Sequence, residues 1–491
     1  MNLTPASNEA ASKLARIIPR DSHPISRSRI SPNALRVLYR LKESGYQAFL
    51  VGGCVRDLML GLEPKDFDVA TDALPEEVKR LFRNCRLVGR RFRLAHVFFG
   101  RETIEVATFR AASAPEPGDE PLDDHNDDES LSEGNSEQGD ADGNRAENYD
   151  DPIDRVVNEH GRILRDNVYG NIDEDIWRRD FTANALYYNI ADFTVWDYCG
   201  GFEDVQSRRL SLIGDPETRY REDPVRMLRA ARFEAKLAFT LDPASAEPIG
   251  RLTHLLSGVP AARLFDETLK LFLTGHGLRS FQVLRDRGLL IELLPNLARF
   301  MGKFPNSPPE KMLLRGLENT DLRVKADRPV TPTFLFALLL YGPIGLEIEK
   351  TPREHWHTIG NILDAVDRAV SAVYSRVAIP RRFALGLRDM FALQPRLEDP
   401  RGRRALRTLE HPRFRAAFDL LQLRAEVGMA DSAMVQWWEH LQQSNSQQRS
   451  AMSESGEVVV PMHGGDANEA RSSGRGPRRG RGGRGGRSSA N

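Results

Sequence analysis

The stretch from residue 48 to residue 71, AFLVGGCVRDLMLGLEPKDFDVAT, constrains the fold of this 491-residue chain more than any other segment. Its apolar start predicts a strand, which breaks at Gly52-Gly53 and leads into a short helix. A second strand is predicted over residues 67–71. Because side chains alternate along a strand, Asp66 and Asp68 are expected to share one face of it.

The residue types in this unit indicate phosphate and metal chemistry. Two carboxylates on one strand face repel each other unless a cation lies between them. Oxygen ligands of this kind suit Mg²⁺, which takes one or two protein carboxylates together with substrate phosphates. Glycines at the start of a helix let the backbone approach a phosphate closely. The unit therefore predicts a nucleotidyl-transfer site; the structural alternative is an ordinary turn beside a solvated strand edge.

The neighbouring segments predict a mixed β-sheet with covering helices. Residues 33–45 have the apolar spacing of a helix, and Pro75 opens a second helix at its first position. The runs CRLVG, LAHVFFG and TIEVATFR read as strands. Residues 1–30 are expected to be a flexible extension, and the chain after about residue 212 reads as helices.

Charge is distributed unevenly along the chain. Residues 115–151 hold 15 acidic side chains and one arginine, so the rest of the chain carries a net charge of about +13, as expected for a protein that binds polyanions. Residues 113–151 have almost no bulky apolar side chains and are predicted to be a disordered insertion. Residues 443–491 are also of low complexity and end in an arginine-glycine tail. Such tails bind single-stranded RNA without base specificity, and the candidate RNA-binding residues are Arg475, Arg478, Arg479, Arg481, Arg484 and Arg487.

The remaining composition bears on cellular location. No run of 18 apolar residues occurs, so no membrane span is expected, and residues 1–24 have no apolar core of a secretory signal. The three cysteines, Cys54, Cys85 and Cys199, follow no pairing or zinc-ligand pattern, which predicts a reducing cytoplasm and no zinc site. The sequence specifies no oligomeric state.

Three strings, GGCVRDLMLG…DFDVAT, RRDFTANAL and EDPVRMLRAARF, together resemble the class II nucleotidyltransferases. This family comprises tRNA CCA-adding enzymes and bacterial poly(A) polymerases, within the polymerase-β-type superfamily. The resemblance covers about residues 35–440. It implies an α+β fold: a head with a mixed sheet over residues 31–212, a helical neck over 213–275, and a helical body and leg over 276–442.

The resemblance also implies roles for single residues. Asp66 and Asp68 would hold two Mg²⁺, with Asp180 of RRDFT as the third catalytic carboxylate. Glu105 is a second candidate metal ligand, because its predicted strand lies among apolar neighbours; its alternative is an ion pair with Arg110 or Arg93. Residues 181, 186 and 187 are read as core and Asn184 as a contact to the sugar. The candidate nucleotide-binding residues are Gly52, Gly53, Arg56, Arg179, Asp223, Arg226, Arg229 and Arg232.

The implied activity is attack of an RNA 3′-hydroxyl on ATP, which adds adenylate without a template and marks RNA for turnover, with RNA-decay proteins as further partners. The strings VWDYCGGFEDV, PAARLFDETLKLFLTG and LEHPRFRAAFDLLQLRAEV favour the poly(A) branch. Three alternatives stay open. They are a CCA-adding enzyme, a non-catalytic RNA-binding relic of the family, and a small-molecule nucleotidyltransferase, which fits the large helical region poorly.

Overall fold

A computed structural model describes residues 15–89, 93–111, 153–157, 163–400, 403–445 and 447–449, with the backbone alone over 153–157 and 163–168. The predicted acidic insertion at 113–151 and the arginine-glycine tail from residue 471, with its six candidate RNA-binding arginines, lie outside these ranges. Their predictions therefore stay predictions.

The described strands are short. In chain order they are β1 (Arg16–Ile18), β2 (Ala48–Val51), β3 (Asp68–Thr71), β4 (Cys85–Val88), β5 (Leu94–Phe99), β6 (Glu102–Thr108), β7 (Ile153–Val157), β8 (Ile163–Val168), β9 (Leu186–Asn189), β10 (Val195–Asp197), β11 (Arg209–Leu210) and β12 (Thr240–Leu241). Eight of them form one sheet in the order β1-β10-β9-β2-β3-β6-β5-β4. Within it β3 and β6 run parallel and the other pairs are antiparallel, so the sheet is mixed as predicted.

Helices cover this sheet and make up most of the chain after residue 212. They are α1 (Pro32–Glu43), α2 (Gly53–Met59), α3 (Pro75–Leu81), α4 (Ile172–Arg178), α5 (Gly201–Ser207), α6 (Pro216–Glu222), α7 (Val225–Leu237), α8 (Pro243–Ala246), α9 (Ile249–Leu252), α10 (Ala261–Phe272), α11 (Gly277–Asp286), α12 (Leu290–Leu293), α13 (Pro295–Lys303), α14 (Pro308–Lys325), α15 (Pro332–Glu349), α16 (Ile359–Tyr374), α17 (Arg381–Glu398), α18 (Arg403–Leu409), α19 (Phe414–Glu426) and α20 (Ser432–Gln443).

Both faces of the head sheet are buried. On β2, Leu50 packs into the large core that continues into the helical region. Its neighbours Phe49 and Val51 face the other way and pack with Ile176 of α4 and Tyr187 of β9. This alternation is the period of two that a strand imposes. Burial on both faces fixes the register of β2 and therefore the position of the Gly52-Gly53 turn that follows it.

Two predictions about the head need correction. Residues 15–30 are ordered rather than flexible, because β1 pairs with β10 and Ile18, Ile25 and Ile30 are buried. Without β1, the edge of β10 would lack a hydrogen-bonding partner. In addition β3 begins at Asp68, so Asp66 lies in the loop before the strand and not on it.

The other element predictions in the head are confirmed. Helix α1 begins at Pro32 after Ser31, whose hydroxyl accepts a hydrogen bond from the backbone N–H of Asn33. Pro75 is the first residue of α3, and the three strand-like runs are β4, β5 and β6. These elements could be predicted because the residues that specify each helix or strand lie within it.

In the helical region, α15 is 18 residues long and apolar enough to cross a membrane by length and composition. It contacts α13, α14, α16 and α17, and 56% of its residues are buried. We interpret α15 as the central helix of this region. A separate core, which includes Phe414, Phe418 and Trp438, joins α17–α20. The predicted boundaries of neck, body and leg stay predictions.

Candidate active site

A cleft of about 480 Å³ lies between the head and helices α7 and α10. Seven cationic and three acidic side chains line it, which makes it a site for an anionic ligand. Its lining residues are Gly52, Gly53, Arg56, Asp68, Arg178, Arg179, Asp180, Asn184, Asp223, Arg226, Arg229, Phe233, Lys236 and Arg263.

The glycine pair and Asp68 meet at one edge of this cleft. Gly52 precedes α2 with φ of +75°, a backbone conformation that favours glycine. A Cβ atom at this position would lie 3.8 Å from Oδ2 of Asp68. The turn therefore lies directly against the carboxylate, and the two halves of the unit from residue 48 to residue 71 are brought together.

Asp68 lies among other carboxylates. In the parallel pairing of β3 with β6, its register partner is Glu105. Burial, and then the charges of Glu105 and Asp66, raise the pKa of Asp68 to about 6. Glu105 is partly exposed and its Oε2 lies 3.6 Å from Nε2 of His96. The alternative partner Arg93 instead pairs with Glu76.

These carboxylates fit Mg²⁺. Burial, and then the mutual repulsion of these carboxylates, raise the pKa of Asp68, and a divalent cation would relieve that repulsion. Within the described ranges, no three carboxylate, imidazole or thiol groups are grouped closely enough to enclose a metal ion. An open set of one or two protein carboxylates, completed by phosphates in a cationic cleft, is the usual arrangement for Mg²⁺.

Asp180, the predicted third catalytic carboxylate, already has partners in the protein. Arg229 donates to its Oδ2 from Nε at 2.8 Å and from Nη2 at 2.5 Å, and the backbone N–H of Phe181 donates to Oδ1. Burial acts to raise the pKa of Asp180, but the charge and hydrogen bonds of Arg229 lower it overall. Both oxygens have partners, so the geometry favours Glu105 over Asp180 as the neighbour of a metal at Asp68.

Arg179, the candidate triphosphate ligand, is held by two residues. Its Nη2 lies 2.9 Å from Oδ2 of Asp175, and its Nε donates to the Tyr187 hydroxyl at 2.8 Å. That hydroxyl in turn donates to Asp175 at 2.7 Å. The closed triad fixes the guanidinium at the wall of the cleft, so reading Tyr187 as only a core residue was incomplete.

Three further candidates line the cleft and also have partners in the protein. The buried Arg56 pairs with Asp57 at 2.7 Å and donates to the side chain of Asn184. Asp223 lies between α6 and α7, where its Oδ2 accepts from Arg263 at 2.8 Å. These contacts orient the side chains before any nucleotide arrives.

Two arginines on α7 differ in their placement. Arg226 lines the cleft, and its Nη1 donates to Glu222 at 2.9 Å and to the carbonyl of Arg219 at 2.7 Å. Arg232 does not line the cleft. It pairs at 2.7 Å with Glu267 of α10, in surroundings where both side chains are largely buried. Its prediction as a nucleotide ligand does not fit this position, which joins two helices instead.

Sequence reasoning missed four lining residues, Arg178, Phe233, Lys236 and Arg263. A signal for two of them was present in the chain. Positions 226, 229, 233 and 236 recur at helical spacing, so they share one face of α7. Arg263 lies on α10, and only the folded chain brings it to Asp223.

The mixed-sheet head, the carboxylates beside a glycine turn and the cationic cleft define a nucleotidyltransferase. Comparisons with known proteins identify its family. The pattern described as "Poly A polymerase head domain" matches residues 48–211, "Probable RNA and SrmB- binding site of polymerase A" matches 238–301, and "Polymerase A arginine-rich C-terminus" matches 355–479. Poly(A) polymerase I of Escherichia coli O6:H1 is 45% identical over 449 residues, which cover 90% of each chain.

This chain belongs to the bacterial poly(A) polymerase I family. The CCA-adding enzyme of Lactobacillus gasseri is 32% identical over 260 residues, 53% of this chain and 54% of that enzyme. A solved structure of a tRNA-processing enzyme in an apo form shares the fold, with a TM-score of 0.52, 20% identity and coverage of 85% of this chain and 100% of that one. The expected α+β fold and the preference for the poly(A) branch are confirmed.

Proposed function

We propose that this chain transfers adenylate from ATP to the 3′-hydroxyl of RNA without a template. The observation that most strongly supports this proposal is the cleft, in which Asp68 and the glycine turn face seven cationic side chains. A nucleoside triphosphate needs cationic partners for its phosphates and a carboxylate-held metal at the reacting phosphorus. The family and its extent along the chain supply ATP and RNA as the substrates.

In the reaction, the 3′-oxygen of RNA gives up its proton and attacks the α-phosphorus of ATP. A new phosphodiester bond forms, the bond from the α-phosphorus to the bridging oxygen of the β-phosphate breaks, and pyrophosphate leaves. Asp66 and Asp68, with Glu105 beside them, would hold Mg²⁺. Bound there, Mg²⁺ would lower the pKa of the attacking hydroxyl and neutralise charge on the triphosphate.

The other residues bind and orient. Arg179, fixed by Asp175 and Tyr187, presents a planar guanidinium to the phosphates. Asp223 and Arg226 offer an acceptor and donors for the edge of the base. Asp180 acts as a positioning residue through Arg229, which it holds between the head and α7.

We extend the proposal to the cell. Adenylated RNA ends would mark RNA for turnover, with RNA-decay proteins as partners, in a reducing cytoplasm. The three free cysteines fit that compartment, since Cys54 and Cys85 are buried as thiols.

Incubation with a generic RNA primer, Mg²⁺ and each NTP separately tests the proposal. Sequencing of the 3′ ends should find a run of adenosines with ATP and little extension with the other three nucleotides. A truncated tRNA completed to CCA, with no further growth, would identify a CCA-adding enzyme instead. EDTA should stop the reaction, and added Mg²⁺ should restore it.

A further inference from the structure

The active-site face of the head sheet continues beyond Asp68 toward the edge strand β4. Register partners lie side by side on one face of a sheet. Four of them form one row across four strands: Asp68 of β3, Glu105 of β6, His96 of β5 and Arg86 of β4. Adjacent strands are about 4.8 Å apart, so the backbone at Arg86 lies about 14 Å from that at Asp68. The row leads from the candidate metal site to the edge of the sheet.

The outer part of this row combines an aromatic ring with a cation. The guanidinium of Arg86 lies over the ring of Phe98, 5.8 Å from its centroid. The imidazole of His96 meets the same ring in an edge-to-face arrangement, with 6.3 Å between the centroids. Because the intervening Val97 packs in the core, His96 and Phe98 share the opposite face of β5. We refer to His96, Phe98 and Arg86 as the β4–β5 platform.

The platform is accessible to a ligand. Arg86 is exposed, and His96 and Phe98 are partly exposed. On the same face of β4, the apolar side chain of Val88 is 43% exposed. Aromatic rings beside cationic side chains are typical of sites for single-stranded nucleic acid, because bases stack on the rings and phosphates pair with the cations.

The platform and the cationic cleft lie on opposite sides of Asp68. The cleft takes its head residues from the turn after β2 and from the segment that ends before β9, and β3 separates these strands from β6, β5 and β4. In phosphoryl transfer, the attacking and leaving oxygens lie roughly in line on opposite sides of the phosphorus. When the triphosphate occupies the cleft, the attacking hydroxyl therefore comes from the side of Glu105 and the platform.

We propose that the β4–β5 platform holds the 3′-terminal nucleotides of the RNA that accepts adenylate, with a base stacked on Phe98 and a phosphate bound by Arg86. The identification of the ligand as RNA rests on the proposed function, in which an RNA 3′-hydroxyl is the attacking group. Incoming ATP is the competing ligand, but the seven cationic side chains that match its phosphates line the cleft and not the platform.

Four variants of the full chain test the platform. Phe98→Leu removes the ring but keeps an apolar side chain on the sheet, whereas Phe98→Trp keeps an aromatic ring. Arg86→Gln removes the cation, and its matched control is Arg83→Gln, which changes an exposed arginine just before β4. The melting temperature of each variant measures any loss of packing in the head.

Binding is measured without ATP, so that it does not depend on the reaction. Oligo(A) of about 6 nucleotides carries 2-aminopurine, whose fluorescence is quenched by stacking, as its 3′-terminal or its 5′-terminal base. The parent and Phe98→Trp should quench the 3′-terminal probe more than the 5′-terminal probe, and Phe98→Leu should lose this difference. Arg86→Gln should lower the log–log salt slope of binding by about 0.7, as expected for one lost phosphate contact on a single strand. Arg83→Gln should leave the slope unchanged.

Adenylation assays with the unlabelled oligonucleotide separate this inference from the proposed function. Phe98→Leu should raise the KM for RNA about tenfold, the effect of losing one stacked base, with the KM for ATP unchanged. Equal 3′-terminal quenching and equal KM for RNA in the parent and Phe98→Leu would overturn the inference. A rise in the KM for ATP alone would also overturn it and assign the platform to the nucleotide.

The two Phe98 variants also distinguish stacking from packing. Equal losses of binding in Phe98→Leu and Phe98→Trp, with lowered melting temperatures, would mean that Phe98 only packs the head, and the inference would be wrong. A parent that quenches the 3′-terminal probe through Phe98 but adds no adenylate would refute only the proposed function.

Discussion

At the scale of single residues, Asp68 must be ionised to hold a metal ion, but its surroundings disfavour the ionised form. Its pKa of about 6 means that the ionised form is disfavoured in the metal-free protein, by burial first and then by Glu105 and Asp66. Between pH 4 and pH 6 the folded protein binds more protons at this residue than the unfolded chain does. The free energy of unfolding therefore falls as pH rises through this window, by up to about 3 kcal/mol.

Asp68→Asn should consequently stabilise the metal-free protein at pH 7 by roughly 1–3 kcal/mol and flatten that pH dependence. The same change should lower the rate of adenylate transfer at least about 100-fold, since metal-held charge contributes several kcal/mol to the transition state. Urea unfolding in EDTA at pH 4–7 and primer extension measure the two effects. Glu63→Gln, an exposed residue of the same loop, is the control. An active Asp68→Asn enzyme contradicts the mechanism.

Tyr187 positions Arg179 through a single hydroxyl. Tyr187→Phe removes that hydroxyl and leaves Nε of the guanidinium with only its longer hydrogen bond, of 3.3 Å, to Asp175. Hydrogen bonds to charged groups contribute about 1.5–3 kcal/mol, so the KM for ATP should rise roughly tenfold with kcat changed less than about threefold.

The adjacent Tyr188 supplies the control for that change. It is equally buried but packs on the opposite face of β9, in the other core. Tyr188→Phe should leave the KM for ATP unchanged. Equal effects of the two substitutions would mean that the loss of a buried tyrosine hydroxyl on either face of β9, and not the loss of the contact with Arg179, raises the KM for ATP.

At the scale of elements, the ion pair between Arg229 and Asp180 joins α7 to the head. Arg229→Met leaves a largely buried carboxylate without its partner, which should cost about 2–3 kcal/mol of stability after allowance for the partial exposure of Arg229. Urea denaturation of the variant measures the loss. The double change with Asp180→Asn should recover part of it, because the uncompensated charge is gone.

Arg221→Met is the reference for this prediction. Arg221 pairs with Glu217 on the exposed side of α6, and surface pairs contribute under about 1 kcal/mol. If Arg229→Met destabilised the protein no more than Arg221→Met, the ion pair would not hold α7 in place.

Elements were predictable from sequence where their signals are local. The Pro75 helix start and the glycine break at Gly52 act through backbone geometry, so reading them required no partner. The pairing of β1 with β10 was missed because three residues carry little periodicity and the partner strand lies about 180 residues away. For the same reason, the sequence identified site residues by their side-chain chemistry but not by their contacts. The pairing of Arg232 with Glu267 and the hydrogen bond from Arg179 to Tyr187 are visible only in the folded chain.

Charge is segregated at the scale of the whole molecule. The acidic insertion lies in the connection from β6 to α4, which also contains β7 and β8. The two ends of this connection are adjacent: Arg110 bridges to Tyr169, and Gly170 donates to the carbonyl of Phe109 at 2.9 Å. Shortening a connection whose ends already meet changes loop-closure entropy only slowly. Deletion of residues 116–150 should therefore change the free energy of unfolding by less than about 1 kcal/mol.

The same deletion should tighten RNA binding at about 0.05 M salt and have little effect at about 0.5 M, because salt screens the repulsion between this segment and the RNA. A chain that keeps the full segment with its Asp and Glu residues changed to Asn and Gln separates charge from length. Equal tightening in both variants assigns the effect to charge, since only charge is lost in the second. If only the deletion variant binds RNA more tightly, the effect is due to the bulk of the segment near the entrance of the active-site cleft. A deletion that lowers the melting temperature strongly would mean that the segment packs against the head.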